Sequence, residues 1–354
     1  MAYISFQPSD YFNTQLYTGT GSTNAQTGVG FQPDWVWIQN RGGTYANVAF
    51  DAVRGATKLI EPAGDGMENT VSDTLTSFDS DGFTLGADSS NYCNRSSSPN
   101  TYVAWNWKAN GAGSANTDGS INSTATSAST TSGFSIVKYT GTGSNATVGH
   151  GLGVAPEVVW IKKLSGGGNE GIYAYMKSIG ASNTLTVQSD AASASASSLF
   201  NSTDPTSSVF SIGTHASTNA SGSTYIAYCF APINGFSKFG KYYGNNSTWG
   251  TFVNCGFKPG MVIVKCDSNA STPWVLLDNK RSSSGGPNPN DRWLYANAVD
   301  AEVDQSGNPT DFLSNGFKLK NNGGYMNGSG RTYIYMAFAE QPLVSSNNIP
   351  ATAR

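Results

Sequence analysis

The chain has 354 residues, of which 12% are charged and 12% are aromatic, and its formal net charge at pH 7 is −3. Lys and Arg are scattered singly, so the basic stripe of a nucleic-acid-binding protein is missing. No apolar run approaches the roughly 20 residues of a membrane span, and the N-terminus lacks the basic and apolar regions of a signal peptide. We therefore expect neither a nucleic-acid partner nor membrane insertion.

The first recurring element is an aromatic strand that runs into a Gly-rich turn. Residues 17–22 and 139–144 both have the sequence Y-T-G-T-G-S, and residues 242–247 have the related string Y-Y-G-N-N-S. Self-similarity at a spacing of about 100–120 residues indicates a duplicated unit. The sequence therefore predicts three copies of one repeat.

The second element follows each turn and consists of a glycine, a proline and an apolar run. It occupies residues 30–38, 153–161 and 256–264. The runs are rich in Val, Ile and Trp, which favour strands, and proline is tolerated at the first position of a strand. We expect a buried strand at each of these places.

Each repeat closes on an aromatic strand, at residues 102–107, 225–230 and 333–338. Side chains alternate between the two faces of a strand, so Tyr102 and Ala104 face one way while Val103, Trp105 and Trp107 face the other. Both faces are largely apolar. The pattern therefore predicts that the closing strand is central in its sheet.

Changes in composition and clusters of turn-forming residues give the predicted boundaries. We assign a first repeat to residues 1–110, a Gly/Ser/Thr linker to 111–132, a second repeat to 133–232, a third to 233–342 and a C-terminal tail to 343–354. The long polar stretch is typical of a flexible linker, which would leave the first repeat loosely tethered. Short strands with Gly, Asn and Ser turns predict an all-β chain of three tandem β-sandwich modules, jelly-roll or lectin-like in kind.

The residues that carry most enzymatic and metal chemistry are sparse. Four cysteines without a C-x-x-C pair predict free, mostly buried thiols, and two isolated histidines give no nucleophile signature. The acidic turns that begin at Asp79 and Asp304 resemble calcium loops but lack the later bidentate Glu, so an ordinary turn explains them equally well. Glu302 and Asp304 begin an E-x-D-x-x-E pattern that ends in Gly307, which removes the second carboxylate of a glycoside hydrolase. We predict no catalytic, cofactor-binding or metal-binding residues.

Tryptophans divide into two groups by their surroundings. Those within predicted strands are assigned to the core: Trp35, Trp37, Trp105, Trp107 and Trp160. Those among Gly, Asn, Pro and Ser are expected to be exposed and are the candidate glycan contacts: Trp249, Trp274 and Trp293.

An acidic residue precedes an arginine at matching positions of the first and third repeats. Arg54 follows Asp51, and Arg281 follows Asp278, whereas the second repeat has Lys177 nearby and no aspartate. Arginine and carboxylate form strong bidentate pairs. We therefore expect a structural Asp–Arg pair in each of the two repeats.

The repeated strings resemble a family of repeat-bearing virion structural proteins of marine bacteriophages, described as structural or tail-fibre-like. The resemblance rests on Y-T-G-T-G-S, on G-F-x-P-D-x-V-W-I at 30–38, on F-D-x-V-R-G at 50–55, on F-D-S-D-G-F at 78–83 and on V-A-W-N-W-K-A at 103–109. It is most specific in the first repeat and extends over most of the chain. It implies a component of a phage particle and brings no catalytic residues with it.

These observations lead to one class of function with two versions. We expect a non-enzymatic structural protein on the exterior of a virion, made in the host cytoplasm, homo-oligomeric and bound to other virion proteins. Loops rich in Tyr, Asn, Ser and Gly favour tail-fibre-type host attachment to a cell-surface glycan. Two features favour capsid decoration instead, as a head-fibre or cement protein. The self-contained repeats begin near residue 11 and leave no room for an N-terminal anchor domain, and the sequence has no heptad segment that could form a fibre shaft. A polysaccharide depolymerase is the more distant alternative.

Overall fold

The computed structural model describes residues 4–342, and this part of the chain is nearly all β. The predicted tail at 343–354 lies outside the described residues. Within them, no helix has the length and apolar character needed to cross a membrane. The prediction of an all-β chain is therefore confirmed.

Strands occur throughout all three repeats. The first repeat follows a 3-10 helix (Pro8–Asp10) and contains β1 (Phe12–Thr18), β2 (Asn24–Thr27), β3 (Trp35–Asn40), β4 (Val48–Asp51), β5 (Lys58–Leu59), β6 (Asn69–Thr70), β7 (Leu75–Asp79), β8 (Gly82–Leu85) and β9 (Thr101–Trp107). Next come β10 (Ala125–Ser129), β11 (Phe134–Thr140), β12 (Ala146–Gly149), β13 (Val158–Lys163), β14 (Ile172–Met176), β15 (Asn183–Thr186), β16 (Ala194–Ser195), β17 (Val209–Ile212), a short helix α1 (Ala216–Asn219) and β18 (Thr224–Phe230). The third repeat contains β19 (Ser237–Tyr243), β20 (Phe252–Asn254), β21 (Phe257–Cys266), β22 (Val275–Asp278), β23 (Arg292–Tyr295), β24 (Val303–Asp304), β25 (Thr310–Leu313), β26 (Gly316–Leu319) and β27 (Thr332–Pro342).

One order of antiparallel strands occurs in all three repeats. It is β1-β9-β3-β4 in the first, β11-β18-β13-β14 in the second and β19-β27-β21-β22 in the third. The closing strand of each repeat therefore lies inside its sheet, between the opening strand and the proline-entered strand. This confirms the prediction made from alternating apolar side chains.

Each main sheet has a smaller sheet beside one of its faces: β2-β8-β7, β12-β17 and β20-β26-β25. In the first repeat, Val36 and Ile38 of the main sheet share a buried cluster with Phe83 and Leu85 of the smaller one. In the second repeat, a corresponding cluster joins β13 to β17. One face of each main sheet is thus covered from within its own repeat.

The segment predicted as a flexible linker is built into the second sheet, so that prediction is wrong. Its strand β10 pairs with β11 over five residues, and Ile121 forms a single bridge to Val148. The segment buries few apolar side chains, and hydroxyl and amide groups hold it instead. The Ser123 hydroxyl accepts from the Asn116 backbone amide, and the Ser127 hydroxyl accepts from the Asn110 backbone amide at 2.8 Å. Hydrogen bonding of this kind leaves no apolar periodicity in the sequence.

The inward faces of the three main sheets meet in one core, so the first repeat is not loosely tethered. Trp160 of the second repeat lies at the centre, with its ring 6.4 Å from that of Trp35 in the first repeat and 5.9 Å from that of Trp274 in the third. All three rings are at most 2% exposed. The repeats therefore share a buried centre to which each contributes a tryptophan.

Polar contacts between the repeats form a closed cycle. The next-to-last residue of β3, β13 and β21 in each case donates to a backbone carbonyl of another repeat. Gln39 donates to Tyr295 of the third repeat at 3.3 Å, Lys162 to Gly64 of the first at 3.1 Å, and Lys265 to Asp190 of the second at 3.3 Å. The first repeat thus contacts the third, the third the second, and the second the first. The arrangement is an approximate threefold cycle within one chain.

The predicted Asp–Arg pairs are present, and each also joins two repeats. Asp51 and Arg54 form a fully buried ion pair, and the Tyr228 hydroxyl of the second repeat donates to the same carboxylate at 2.7 Å. Asp278 pairs with Arg281 at 2.6 Å and accepts from the Trp105 indole of the first repeat at 2.9 Å. These contacts run in the same direction round the cycle as the carbonyl contacts.

The second repeat has an apolar version of this interface. When the three repeats are aligned by their strand registers, Met176 takes the position of Asp51 and Asp278. Met336 takes the position of the donors Trp105 and Tyr228. Both methionines belong to the shared core. The nearby Lys177 pairs at the surface with Glu157 at 2.9 Å instead. Where the aspartate is replaced by an apolar residue, the donor opposite it is replaced as well.

We expect the two interface lysines to make stability depend on pH. Burial lowers the pKa of Lys162 and Lys265 from 10.5 to about 8. The unfolded chain keeps these protons up to about pH 10.5, while the folded chain releases them above about pH 8. Through these groups the free energy of unfolding therefore rises across that interval. Lys162→Met should lose part of the rise, as measured by urea unfolding at several pH values.

The control for this experiment is Lys177→Met, because the Lys177 side chain is 61% exposed. The informative quantity is the difference between variant and wild type in the slope of the free energy of unfolding against pH, since thiols and tyrosines titrate in the same range in every variant. A Lys162→Met curve parallel to that of the wild type would show that the lysine is charged in the folded state.

Candidate functional site

One end of every repeat is built by the same clamp, which explains the Y-T-G-T-G-S string. Two tyrosine rings stack with centroids 5.1 to 5.2 Å apart, and the first tyrosine donates its hydroxyl to a loop carbonyl. The asparagine after that carbonyl donates its side-chain amide to two other carbonyls. The tyrosine and asparagine of the clamp are Tyr17 and Asn94, Tyr139 and Asn219, and Tyr242 and Asn327.

The first glycine of each string has a steric role in the clamp. A Cβ atom on Gly19, Gly141 or Gly244 would lie less than 3.0 Å from a backbone oxygen of the loop that the asparagine holds. No side chain fits there without moving the backbone. Two loops are therefore held closely together at this end of each repeat.

Exposed aromatic side chains are confined to the clamped end of the third repeat. Among residues 4–342 the large exposed hydrophobic residues include four aromatics, and all are in this repeat: Tyr243 (65% exposed), Trp249 (76%), Phe252 (40%) and Tyr325 (42%). The other repeats carry small side chains at the aligned positions, with Thr18 and Thr140 for Tyr243, and Ala25 and Thr147 for Phe252. We call these four residues the aromatic end.

The clamp places the two loops of the aromatic end side by side. The Asn327 side chain donates to the Ser247 carbonyl at 3.0 Å and accepts from the Asn245 amide at 3.0 Å. Trp249 lies two residues after Ser247, and Tyr325 lies two residues before Asn327. Stacking surfaces and loop amides are thus presented by one pair of loops that the Asn327 side chain joins.

A pocket of about 220 Å³ opens beside Tyr325. It is lined by Trp293, Gln305, Asn308, Gly323, Gly324 and Tyr325. Tyr325 forms one wall and packs edge-on against Tyr295, with ring centroids 6.5 Å apart. The pocket therefore adjoins the aromatic end at Tyr325.

The structure corrects the expected exposure of two of the three candidate glycan contacts. Trp249 is exposed, as expected, but Trp274 is fully buried and Trp293 is only 2% exposed. Trp274 donates its indole N–H to Thr186 of the second repeat at 3.1 Å. The polar residues around both tryptophans form loops, while the indoles point into the core or line the pocket.

The acidic turns considered for calcium have internal partners. Asp79 accepts from Ser77 and Thr84, and Asp81 accepts from the Gly28 and Gly30 amides. Asp304 pairs with Arg292 at 2.7 Å. Within residues 4–342, no group of three or more His, Cys, Asp and Glu side chains is arranged to hold a metal ion. The four cysteines are buried free thiols, as predicted.

Comparison with known proteins gives one match. No curated protein and no solved structure matches the chain. Residues 7–342 match the family model described as a domain of unknown function, DUF7483, and this match spans all three repeats. The chain therefore belongs to the DUF7483 family.

Proposed function

We propose that the chain is a non-enzymatic structural protein on the surface of a bacteriophage particle, of the tail-fibre or host-attachment type. On this proposal each repeat is a β-sandwich module. The first two repeats mainly hold the protein together on the particle, and the third binds a host cell-surface glycan. Its partners are other virion proteins and further copies of itself.

One observation carries the proposal, namely the confinement of exposed aromatic side chains to one end of one repeat. Clustered exposed apolar surface marks an interaction site. Aromatic rings give large, rigid contact area at low entropic cost, and loop amides add adaptable hydrogen bonds. Sugar rings offer apolar faces and hydroxyl groups, which suit this combination. Within residues 4–342 the first two repeats carry no large exposed aromatic side chain, so they are not expected to bind.

Capsid decoration is the second candidate, and the cyclic arrangement of the repeats favours it. Three similar units around a common core give one chain an approximately threefold outline. Such an outline can match a threefold position of a shell, since closed symmetric assemblies pair equivalent surfaces. A decoration protein would not need the aromatic end as a glycan site.

A polysaccharide depolymerase receives less support from the carboxylates. Glu302 binds Arg41 at 2.9 Å and Arg281 at 3.0 Å, which ties its carboxylate into the contact between the first and third repeats. Asp304 is held by Arg292. Glycoside hydrolysis needs one carboxyl group that can donate a proton and a second that is close to it. A structural role for both residues accounts for their contacts.

A cryo-electron map of the phage particle, labelled with an antibody fragment raised against the chain, tests the location. Density at the tail tip is the expected result for host attachment. Density on the head would favour decoration and contradict the host-attachment version. A particle without the label would contradict both versions.

We expect Trp249→Ala to weaken binding of the labelled chain to host cells about tenfold, because exposed tryptophans often dominate recognition. Flow cytometry over a range of chain concentrations measures the change. The matched control is Val154→Ala in the second repeat, where the valine is 46% exposed. Equal binding by Trp249→Ala and the wild type would contradict a role for the aromatic end.

A further inference from the structure

The pocket beside Tyr325 contains buried polar groups that no protein atom satisfies. The indole N–H of Trp293 has no hydrogen-bond partner, and neither side-chain atom of the fully buried Asn321 has one. A Cβ atom on Gly323, which lines the pocket, would lie 3.8 Å from the Oδ1 atoms of both Asn308 and Asn321. Gly323 therefore brings the Asn308 and Asn321 side chains close together at the pocket that Trp293 also lines.

Buried donors and acceptors are nearly always paired, since an unpaired group costs about 1–3 kcal/mol. An unpaired group in a pocket wall therefore indicates a polar ligand. Trp293 can only donate, whereas the amides of Asn308, Asn321 and Gln305 both donate and accept. A ligand that satisfies them needs several hydroxyl or carbonyl groups around a compact body.

The pocket favours an uncharged ligand. None of its lining residues carries a charge. Two arginines next to lining residues differ in their partners: Arg292 is paired with Asp304 at 2.7 Å, whereas Arg331 donates to the neutral Gly324 carbonyl at 2.9 Å. A carboxylate bound here would find no counter-charge among the lining residues, and Arg331, which is outside the lining, is the cation beside it.

The indole in the pocket is also specific to the third repeat. When the repeats are aligned by the pairing of β22 with β23, the position of Trp293 is occupied by Leu59 in the first repeat and by Thr184 in the second. The pocket and the exposed aromatics therefore distinguish the same repeat from the other two.

We propose that this pocket is a subsite for one neutral hexose residue, with Tyr325 as the stacking wall and the Trp293 indole N–H as donor to a sugar oxygen. The proposal rests on the proposed glycan-binding function and adds to it the class of sugar and the residues that select it. Asn321 supplies further hydrogen bonds, and so do Gln305 and Asn308, whose side chains already share one hydrogen bond of 3.2 Å.

Saturation-transfer NMR on the full chain tests the subsite, with glucose, galactose and N-acetylglucosamine as neutral probes and glucuronate as the charged probe. We expect transfer to at least one neutral sugar and none to glucuronate. Gly323→Val fills the space without backbone strain, since Gly323 does not have a positive φ and its Cβ would make ordinary contacts. It should weaken binding about tenfold or more, through loss of a hydrogen bond and of ring stacking.

The matched control is Gly66→Val, because a Cβ on the exposed Gly66 meets no atom within 4 Å. Tyr325→Ala is a second variant at a half-exposed position, which covers the case in which Gly323→Val does not fold. Absence of transfer to every neutral sugar, a stronger signal from glucuronate, or unchanged binding by both pocket variants would overturn the subsite. If the chain binds host cells through Trp249 without these signals, the subsite alone fails. If sugars bind in the pocket but cells are not bound, the attachment function alone fails.

Discussion

Asp51→Ala should lower the free energy of unfolding by about 3–5 kcal/mol, because it leaves the buried Arg54 guanidinium with only the more distant carboxylate of Glu68, at 3.5 Å. The Arg54 side chain is fully buried, and its guanidinium also donates to the Ala49 carbonyl at 3.1 Å. The change also removes the acceptor of the Tyr228 hydroxyl, so it loosens the contact between the first and second repeats. Equilibrium unfolding in urea measures the loss.

The chain itself supplies the control for this prediction. At the equivalent interface the second repeat has Met176 and Ile179, and the third has Met336. The triple variant Asp51→Met, Arg54→Ile, Tyr228→Met copies that apolar set. Replacing a buried ion pair by packed apolar side chains is often neutral or stabilising, so we expect the triple variant to regain most of the loss. A triple variant as unstable as Asp51→Ala would contradict the equivalence of the interfaces.

Trp160→Ala should have a comparable effect, about 3–5 kcal/mol, because it empties the centre of the shared core. The Trp160 ring contacts tryptophans of the first and third repeats, so the cavity weakens contacts among all three. We expect one cooperative unfolding transition in the wild type and a shift of the whole transition in the variant.

The matched control is Trp249→Ala, which removes an equally large side chain from the surface. Trp249 is 76% exposed, so the free energy of unfolding should change by no more than about 0.5 kcal/mol. Separate transitions for individual repeats, with only one of them moved by Trp160→Ala, would contradict a shared core.

Much of the fold is predictable from local patterns in the sequence. The repeated strings locate three copies, and alternation along residues 102–107 correctly assigns the two faces and the central position of the closing strand. The Asp–Arg spacing predicts two buried ion pairs. Each of these features depends on residues that are close together in the chain.

The cycle of contacts between repeats is not predictable in the same way. It depends on which distant residues meet, such as Gln39 with Tyr295 or Trp105 with Asp278. The lack of apolar periodicity predicts a linker at 111–132, but hydroxyl and amide hydrogen bonds hold this segment in place. A polar edge strand and a flexible linker have similar compositions.

The candidate site was only partly predictable. Polar neighbours correctly indicate that Trp249 is exposed, but the same reasoning is wrong for the exposure of Trp274 and Trp293, because neighbours describe the loop and not the direction of the side chain. Tyr243, Phe252 and Tyr325 were missed. Aligning the three repeats by strand would have shown that Tyr243 and Phe252 replace small residues of the other copies.

A glycan array probed with the labelled wild type, the double variant Trp249→Ala, Tyr325→Ala, and the control Val154→Ala tests most directly whether the aromatic end of the third repeat binds glycans. We predict that the wild type and Val154→Ala bind the same set of neutral glycans and that the double variant, with an unchanged thermal unfolding curve, binds none of them. A wild type that binds no glycan, or a double variant that binds as the wild type does, would contradict the account.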